Sequence, residues 1–413
     1  MAPMLSLLPM ATPFSPEEIS RLRADTPGCA EVLHLNNAGA SLPTRPVLDA
    51  VIHHLEREAM IGGYEAAEEA AARIEAVYGS LARLLNASGP DEIALLDNST
   101  RAFDMAFYAI PFKPGDVVLT STAEYHSNFV VYLHMAKRGV AVEVIPADPS
   151  GQIDVEALES RLTRARGNAD KPVRAISVVH VPTHTGLVQP LEKVGALARE
   201  HDIFFIVDAT QSVGQLPVDV RAIGCQALAG TSRKFLRGPR GIGFLWVARE
   251  WIERLEPPFM EGHAAEWVAP DRYVIRPDAK RYEIWESYVA GRLGLGAAVD
   301  YALGIGLDRI WERVRGLGEA LRQRLRPISG VAVDDIGQVQ GGIVSFTVRG
   351  RSGQEVKEAL RRRRINVAIS RERASLIDMR ARGLRETVRA SAHYYNTETE
   401  LDCFAEELAQ LVG

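Results

Sequence analysis

Between residues 93 and 247 the chain alternates short, almost uniformly apolar runs with stretches of helical periodicity. The apolar runs cover residues 93–96, 117–120, 142–145, 175–179 and 203–207. A further pair, 227–231 and 243–247, flanks a Gly/Arg/Pro-rich loop at 237–241. A strand with one wet face alternates apolar and polar residues. These runs do not, so both of their faces are expected to be buried, as in a parallel sheet between layers of helices. Segment 191–201 is one such helix, with Leu191, Val194, Leu197 and Ala198 at helical spacing. The repeated strand–helix order predicts an α/β fold whose large domain has a mainly parallel central sheet covered by helices.

Beyond about residue 290 the texture changes. A long helical pattern over 293–324 precedes a strand-like 342–348, a helix 354–363, a strand 366–369 and a closing strand and helix. This predicts a smaller C-terminal α/β domain. The expected division is a large domain at 31–290 and a small one at 291–413, joined by the N-terminal arm 1–30.

With 413 residues, 46% hydrophobic and 24% charged, the chain can fill two domains sharing a sizeable core. A net charge of −5 offers no broad positive field for nucleic acid or an anionic membrane, so a small molecule is the expected partner. The dense basic cluster, Arg361 to Arg364, follows Val356 and Leu360 and reads as the solvated face of a helix. No apolar stretch approaches the ~20 residues that span a bilayer. The opening MAPMLSLLPMATPF lacks a basic flank and is cut by prolines, so it reads as a loose arm rather than a signal peptide. The three cysteines, Cys29, Cys225 and Cys403, are odd in number and far apart. Neither a disulfide framework nor a metal site is expected, and a reducing cytoplasm suits them.

The residues that could do chemistry follow the predicted strands, where open parallel sheets place ligands. Phe204-Phe205-Ile206-Val207 ends in Asp208, with Gln211 close behind; Thr231-Ser232-Arg233-Lys234 follows another strand. An aspartate and a lysine at two strand ends suit a pyridoxal 5′-phosphate (PLP) site, the amine holding the cofactor and the carboxylate pairing with its ring nitrogen. Asp97-Asn98-Ser99-Thr100 stands between a strand and a helix, where backbone N–H groups can bind phosphate. Glu124-Tyr125-His126-Ser127-Asn128 offers an imidazole to a ring. Taken singly, each piece has a plainer reading: a helix cap, a solvated lysine, a structural histidine.

In combination and order these motifs resemble the class V aminotransferase group of fold-type I PLP enzymes, which includes the cysteine desulfurases. The resemblance runs from Leu35-Asn36-Asn37-Ala38-Gly39 to Val388-Arg389-Ala390-Ser391 and Tyr395-Asn396-Thr397. It implies Lys234 as the Schiff-base lysine, Asp208 as the ring-nitrogen partner and His126 as the ring-stacking side chain. Gln211 and Thr183 would meet the ring hydroxyl, and Ser99, Thr100, Thr231 and Arg233 the phosphate. Arg389 would grip the substrate α-carboxylate with two parallel hydrogen bonds. Asn37, Ala38 and Tyr64 would complete the substrate site. A homodimer is implied, with the aromatic-rich 281–291 suited to its interface.

Three positions depart from the group's pattern. Arg233 precedes the lysine where many relatives have histidine, and Thr183 replaces an asparagine. Glu286 stands where a neighbouring subunit's threonine reaches the phosphate, with Ser287 beside it.

Desulfurases carry a mobile cysteine in the loop before the Arg389 segment; here that loop, 370–376, reads SRERASL. The stretches Gly62-Gly63-Tyr64 and Lys234-Phe235-Leu236-Arg237-Gly238-Pro239 resemble a branch containing ergothioneine-pathway C–S lyases and isopenicillin-N-epimerase-like proteins. The expectation is therefore a C–S lyase. It would work by β-elimination on a cysteine-type amino acid such as hercynylcysteine sulfoxide, giving pyruvate and ammonia. Trp267, Tyr282, Trp285 and Tyr288 would face the substrate's trimethylammonium, or else serve an interface. An aminotransferase or epimerase would share every cofactor residue. A cysteine desulfurase and a non-catalytic PLP-binding module are less expected.

Overall fold

The computed structural model describes residues 12–165 and 172–412. The first eleven residues of the expected arm, residues 166–171 and residue 413 lie outside the described residues.

The large sheet has seven strands: β1 Ile93–Leu96, β2 Val117–Ser121, β3 Ala141–Ile145, β4 Val173–Val179, β5 Phe204–Asp208, β6 Ala227–Thr231 and β7 Gly243–Val247. Their spatial order is β1-β7-β6-β5-β4-β2-β3. From β3 across to β6 every pairing is parallel; β7 alone runs against both of its neighbours. The reason is the connection. Residues 232–242 are too few for a crossover helix, so β7 turns back beside β6.

The continuous apolar runs bury both faces as expected. Ile176, Phe205, Val207 and Leu228 enter the core on one side, and Ala175, Phe204, Ile206 and Ala227 enter the core on the other. Helix α1, Ser99–Ala109, leaves the end of β1, and α2, His126–Met135, follows β2.

The helical pattern expected over 293–324 is two helices, α3 Val289–Ile305 and α4 Leu307–Leu325. Gly306 separates them at φ +98, a backbone state that only glycine adopts without strain, so the chain turns there. Gly294 and Gly296 let α3 lie close to the helices Arg45–Ile61 and Ala71–Leu85. A Cβ at Gly294 would stand 2.6 Å from Val51, and one at Gly296 2.8 Å from Val77.

The second sheet is antiparallel, ordered β8-β9-β11-β10 from β8 Val331–Val333, β9 Ile343–Val348, β10 Ala368–Arg371 and β11 Glu386–Ser391. The strand expected at 366–369 is divided. Ile365–Asn366 pairs in parallel with Leu33–His34, and only from Ala368 does the chain join β11. Ile310, Val314, Leu317, Leu321 and Leu325 are the buried apolar residues of α4.

Candidate active site

The C-terminal ends of β1, β2, β4, β5 and β6 surround one cavity of about 480 Å³. Each contributes because a strand must end before its chain can turn away, leaving the next residues at the sheet's edge.

At the end of β5, Asp208 is 5% exposed and fixed from two sides. The Thr210 N–H donates to its Oδ1 at 2.9 Å, and the Asn128 amide donates to its Oδ2 at 3.0 Å. Both donors oppose an anion's desolvation cost. Lys234, beyond the end of β6, is 7% exposed. Burial, and then the neighbouring cations Arg233 and Arg389, hold its amine well below the usual lysine range, with Asp208 opposing. A neutral amine is nucleophilic and can accept a proton. Its Nζ has no hydrogen bond or ion pair among the described residues.

The opposite end of the cavity is built by the first turn of α1. Asn98 caps it by accepting from the Arg101 N–H at 3.0 Å, and the N–H groups of the first helical residues have no partner within the helix. The Ser99 hydroxyl meets that of Thr210, and Thr100, Thr231 and Arg233 also line this end. The Arg233 guanidinium donates to the Gly39 carbonyl.

Arg389, on β11, approaches from the smaller sheet. Its Nη1 donates to the Thr183 carbonyl at 2.6 Å and hydroxyl at 2.8 Å. Burial, and secondarily Arg233, lowers its pKa to about 10, and its Nε is buried without a partner. Thr183 also accepts from Gln211 Nε2 at 3.0 Å. The threonine therefore ties the Gln211 amide to the guanidinium. Gln211 Oε1 is left buried and unpartnered.

Eight of the residues singled out in the sequence thus line the cavity: Ser99, Thr100, Thr183, Asp208, Gln211, Thr231, Arg233 and Lys234. Arg389 borders it through Thr183. Four lie elsewhere. His126 opens α2 on an exposed surface, with its ring edge-on to Tyr125 at 4.4 Å, and it is Tyr125 that lines the cavity. Asn37 is buried behind the site, donating to the Ser391 carbonyl at 2.8 Å and accepting from the Tyr395 hydroxyl at 2.6 Å. The Ala38 carbonyl accepts from Gln211 at 3.0 Å. Tyr64 is 74% exposed on the helix Gly63–Glu69.

Sequence reasoning passed over Asn128, Thr210, Arg101 and Asp104, which also line the cavity. A signal existed for Asn128, because its place early in α2 turns it toward the same strand edge as Asp208. Trp267, Tyr282, Trp285 and Tyr288 do not line this cavity. Tyr282 is buried, with its hydroxyl on the Leu255 carbonyl at 3.0 Å, and Trp267 and Trp285 are exposed. Glu286 is exposed as well.

A strand-end lysine, a strand-end aspartate and a helix N-terminus around one cavity, on a mainly parallel sheet with a second α/β lobe, are the marks of a fold-type I PLP enzyme. The chain belongs to the class-V aminotransferase family, whose model matches residues 33–404. It is 30% identical over 398 residues to a probable cysteine desulfurase of Methanothermobacter thermautotrophicus, covering 95% of this chain and 98% of that one. A probable cysteine desulfurase of Pyrococcus abyssi is 30% identical over 407 residues, with 96% and 98% covered. The apo structure of a cysteine desulfurase from Thermococcus onnurineus superimposes with a TM-score of 0.86 at 28% identity, covering 98% of this chain and 99% of that one.

These relatives overturn the expectation of a C–S lyase acting on a cysteine sulfoxide: they are named cysteine desulfurases, the reading ranked low in the sequence. Of the two stretches that suggested the lyase branch, one reaches the cavity only through Lys234, which the whole family shares, and the other, with Tyr64, lies outside it, so neither separates the branches. The loop 370–376 lacks a thiol. That absence bears on where a sulfur acceptor sits, not on which amino acid enters.

PLP is the cofactor of this enzyme. The cavity suits it: Lys234, Asp208 and Gln211, whose Oε1 is buried without a partner, line it together with the first turn of α1, where backbone N–H groups lack helical partners. Lys234 would carry the cofactor, Asp208 its ring nitrogen, and the first turn of α1 with Thr231 and Arg233 its phosphate.

Proposed function

We propose that this chain is a PLP-dependent enzyme of the cysteine desulfurase type, taking free cysteine as its first substrate. The observation that carries the reading is the placing of one buried amine, Lys234, in a cavity shared with Asp208 and under the influence of Arg389, in a chain similar along its length to proteins named cysteine desulfurases. Arg389 takes the substrate's α-carboxylate, since its Nε is free and its Nη1 is already braced by Thr183. Lys234, once released from the cofactor, would be the base that takes the Cα hydrogen. When bound, PLP supplies an electron-withdrawing ring that weakens the bonds at Cα. Asp208, held by Thr210 and Asn128, keeps the ring nitrogen protonated.

The sulfur acceptor is an added thiol rather than a cysteine of this chain. Cys225 is buried, with its thiol raised well above the usual range by burial, and none of the three cysteines lines the cavity. Incubating the PLP-loaded protein with L-cysteine and dithiothreitol should release alanine and sulfide in equal amounts. No alanine from cysteine would overturn this reading.

The thiol-free loop also favours a second reading, an aminotransferase or amino-acid epimerase, in which Lys234 moves the same proton and no sulfur leaves. Amino-group exchange with a keto acid, or loss of optical activity, would reveal it. We further propose a cytoplasmic homodimer, and a division into a cofactor-binding part at 31–290 and a smaller part at 291–413 with the arm 1–30. The two sheets lie one in each part. No helix of the described residues is long and apolar enough to cross a membrane.

A further inference from the structure

We infer that Glu124 and Asn128 are positioning residues for Asp208, forming a buried carboxylate–amide–carboxylate chain that sets the charge met by the cofactor's ring nitrogen. The inference rests on the cofactor site at Lys234 and Asp208 and is independent of the substrate.

The geometry is complete. The two N–H bonds of one amide, Asn128 Nδ2, reach Glu124 Oε1 at 3.1 Å and Asp208 Oδ2 at 3.0 Å. Glu124 Oε1 also accepts from the Tyr125 N–H at 2.7 Å. Its Oε2 accepts from the Thr120 hydroxyl at 2.8 Å and from Tyr132 at 3.1 Å. Tyr132 in turn lies 2.7 Å from the Ser177 hydroxyl on β4. Four donors around one buried carboxylate are more than packing requires. They brace the amide that braces Asp208, so the Asp208 carboxylate cannot rotate unless the amide moves too.

The same chain carries charge. Asp208 on β5 and Tyr132 on α2 are the titratable groups facing Glu124, and α1 presents the rings of Phe103 and Phe107 to Tyr132. Burial is the largest influence on Glu124 and raises its pKa to about 7, opposed by the Thr120 and backbone donors. Tyr132 is itself pushed well above its usual range by burial and stays neutral. Above pH 7 two negative charges therefore flank Asn128; below it there is one. On protonation, the Glu124 Oε2 proton can go to Thr120 or Tyr132 while Oε1 keeps Asn128, so the geometry survives and only the charge changes.

The test reads the loaded enzyme's cofactor absorbance from pH 5.5 to 8.5, after borohydride mapping has confirmed that Lys234 carries the cofactor. A failure of the site and a failure of this inference are thereby kept apart. Wild type should show a spectral transition near pH 7, and Glu124→Gln, of the same shape but unable to ionise, should lack it. Asn128→Ala should release PLP about tenfold faster, a bracing bond to a charged group having gone. Should Glu124→Gln not fold, Tyr132→Phe serves. Removing one donor from the anion must move the transition to higher pH. A flat wild-type profile, a transition that persists in Glu124→Gln, or, where that variant does not fold, an unmoved midpoint in Tyr132→Phe would overturn the proposal.

Discussion

Asp208 illustrates how a single side chain acquires a role from its partners. A carboxylate at a strand end can cap a helix or meet solvent. This one is buried with two donors and lines the same cavity as Lys234. Asp208→Ala should retain PLP through Lys234 and the α1 end of the cavity yet lose at least ~10²-fold in turnover, as expected when the charge that maintains the electron sink is removed. Near-normal turnover in PLP-loaded variant protein would contradict the role. His180 permits a pH test. Burial alone lowers its pKa from 6.5 to about 4, and its Nδ1 has no partner. Between those values the unfolded chain binds a proton that the folded one refuses, so this contribution to stability is present above pH 6.5 and lost as the pH falls. Melting temperatures at pH 7 and pH 5 should differ less for His180→Gln than for wild type. An equal or larger difference would show that His180 is not the group refusing the proton.

Among the elements, those with an unambiguous apolar pattern were legible and those fixed by distant contacts were not. The runs ending at Asp208 and Thr231 stood out because strands buried on both faces have no polar alternation, and their ends located Lys234 and Asp208 directly. The break at Gly306 was hidden, because a helical pattern continues on both sides and only the φ of one glycine separates α3 from α4. Sequence spacing likewise gives the element but not which of two adjacent rings, Tyr125 or His126, lines the cavity; in the structure it is Tyr125. Contacts between the sheets were also beyond the sequence. His184, next to Thr183, meets Asp378 at 2.7 Å with both side chains buried, and Asp378 also takes Arg382 at 3.1 Å. This links the loop that braces Arg389 to the helix Leu376–Ala381. Asp378→Asn removes the charge and should cost roughly 1–3 kcal/mol. It should also raise several-fold the amino-acid concentration that half-saturates the cofactor's spectral response. Unchanged amino-acid binding in a destabilised variant would make the pair a structural element only.

At the scale of the whole molecule, the surface has apolar side chains that the single chain does not cover. Trp267 is 78% exposed and Trp285 66%, with Phe259 and Tyr273 also exposed nearby in sequence. Trp267 and Tyr273 sit on the hairpin Ala265–Ala269/Arg272–Ile275, which stands apart from both large sheets. Large exposed aromatics of this kind mark association surfaces. Light scattering at micromolar concentration should give twice the mass of one chain, and Trp267→Lys together with Trp285→Lys should shift the species toward the monomer. A wild-type monomer would contradict the homodimer.

The proposed chemistry depends on one cavity and one amine within it. The most direct test is to load the protein with PLP, reduce it with borohydride, digest it and locate the modified lysine by mass spectrometry. A single reduced cofactor adduct is expected on Lys234, and its loss is expected in Lys234→Ala. An adduct mapped to any other lysine, with Lys234 unmodified, would contradict it.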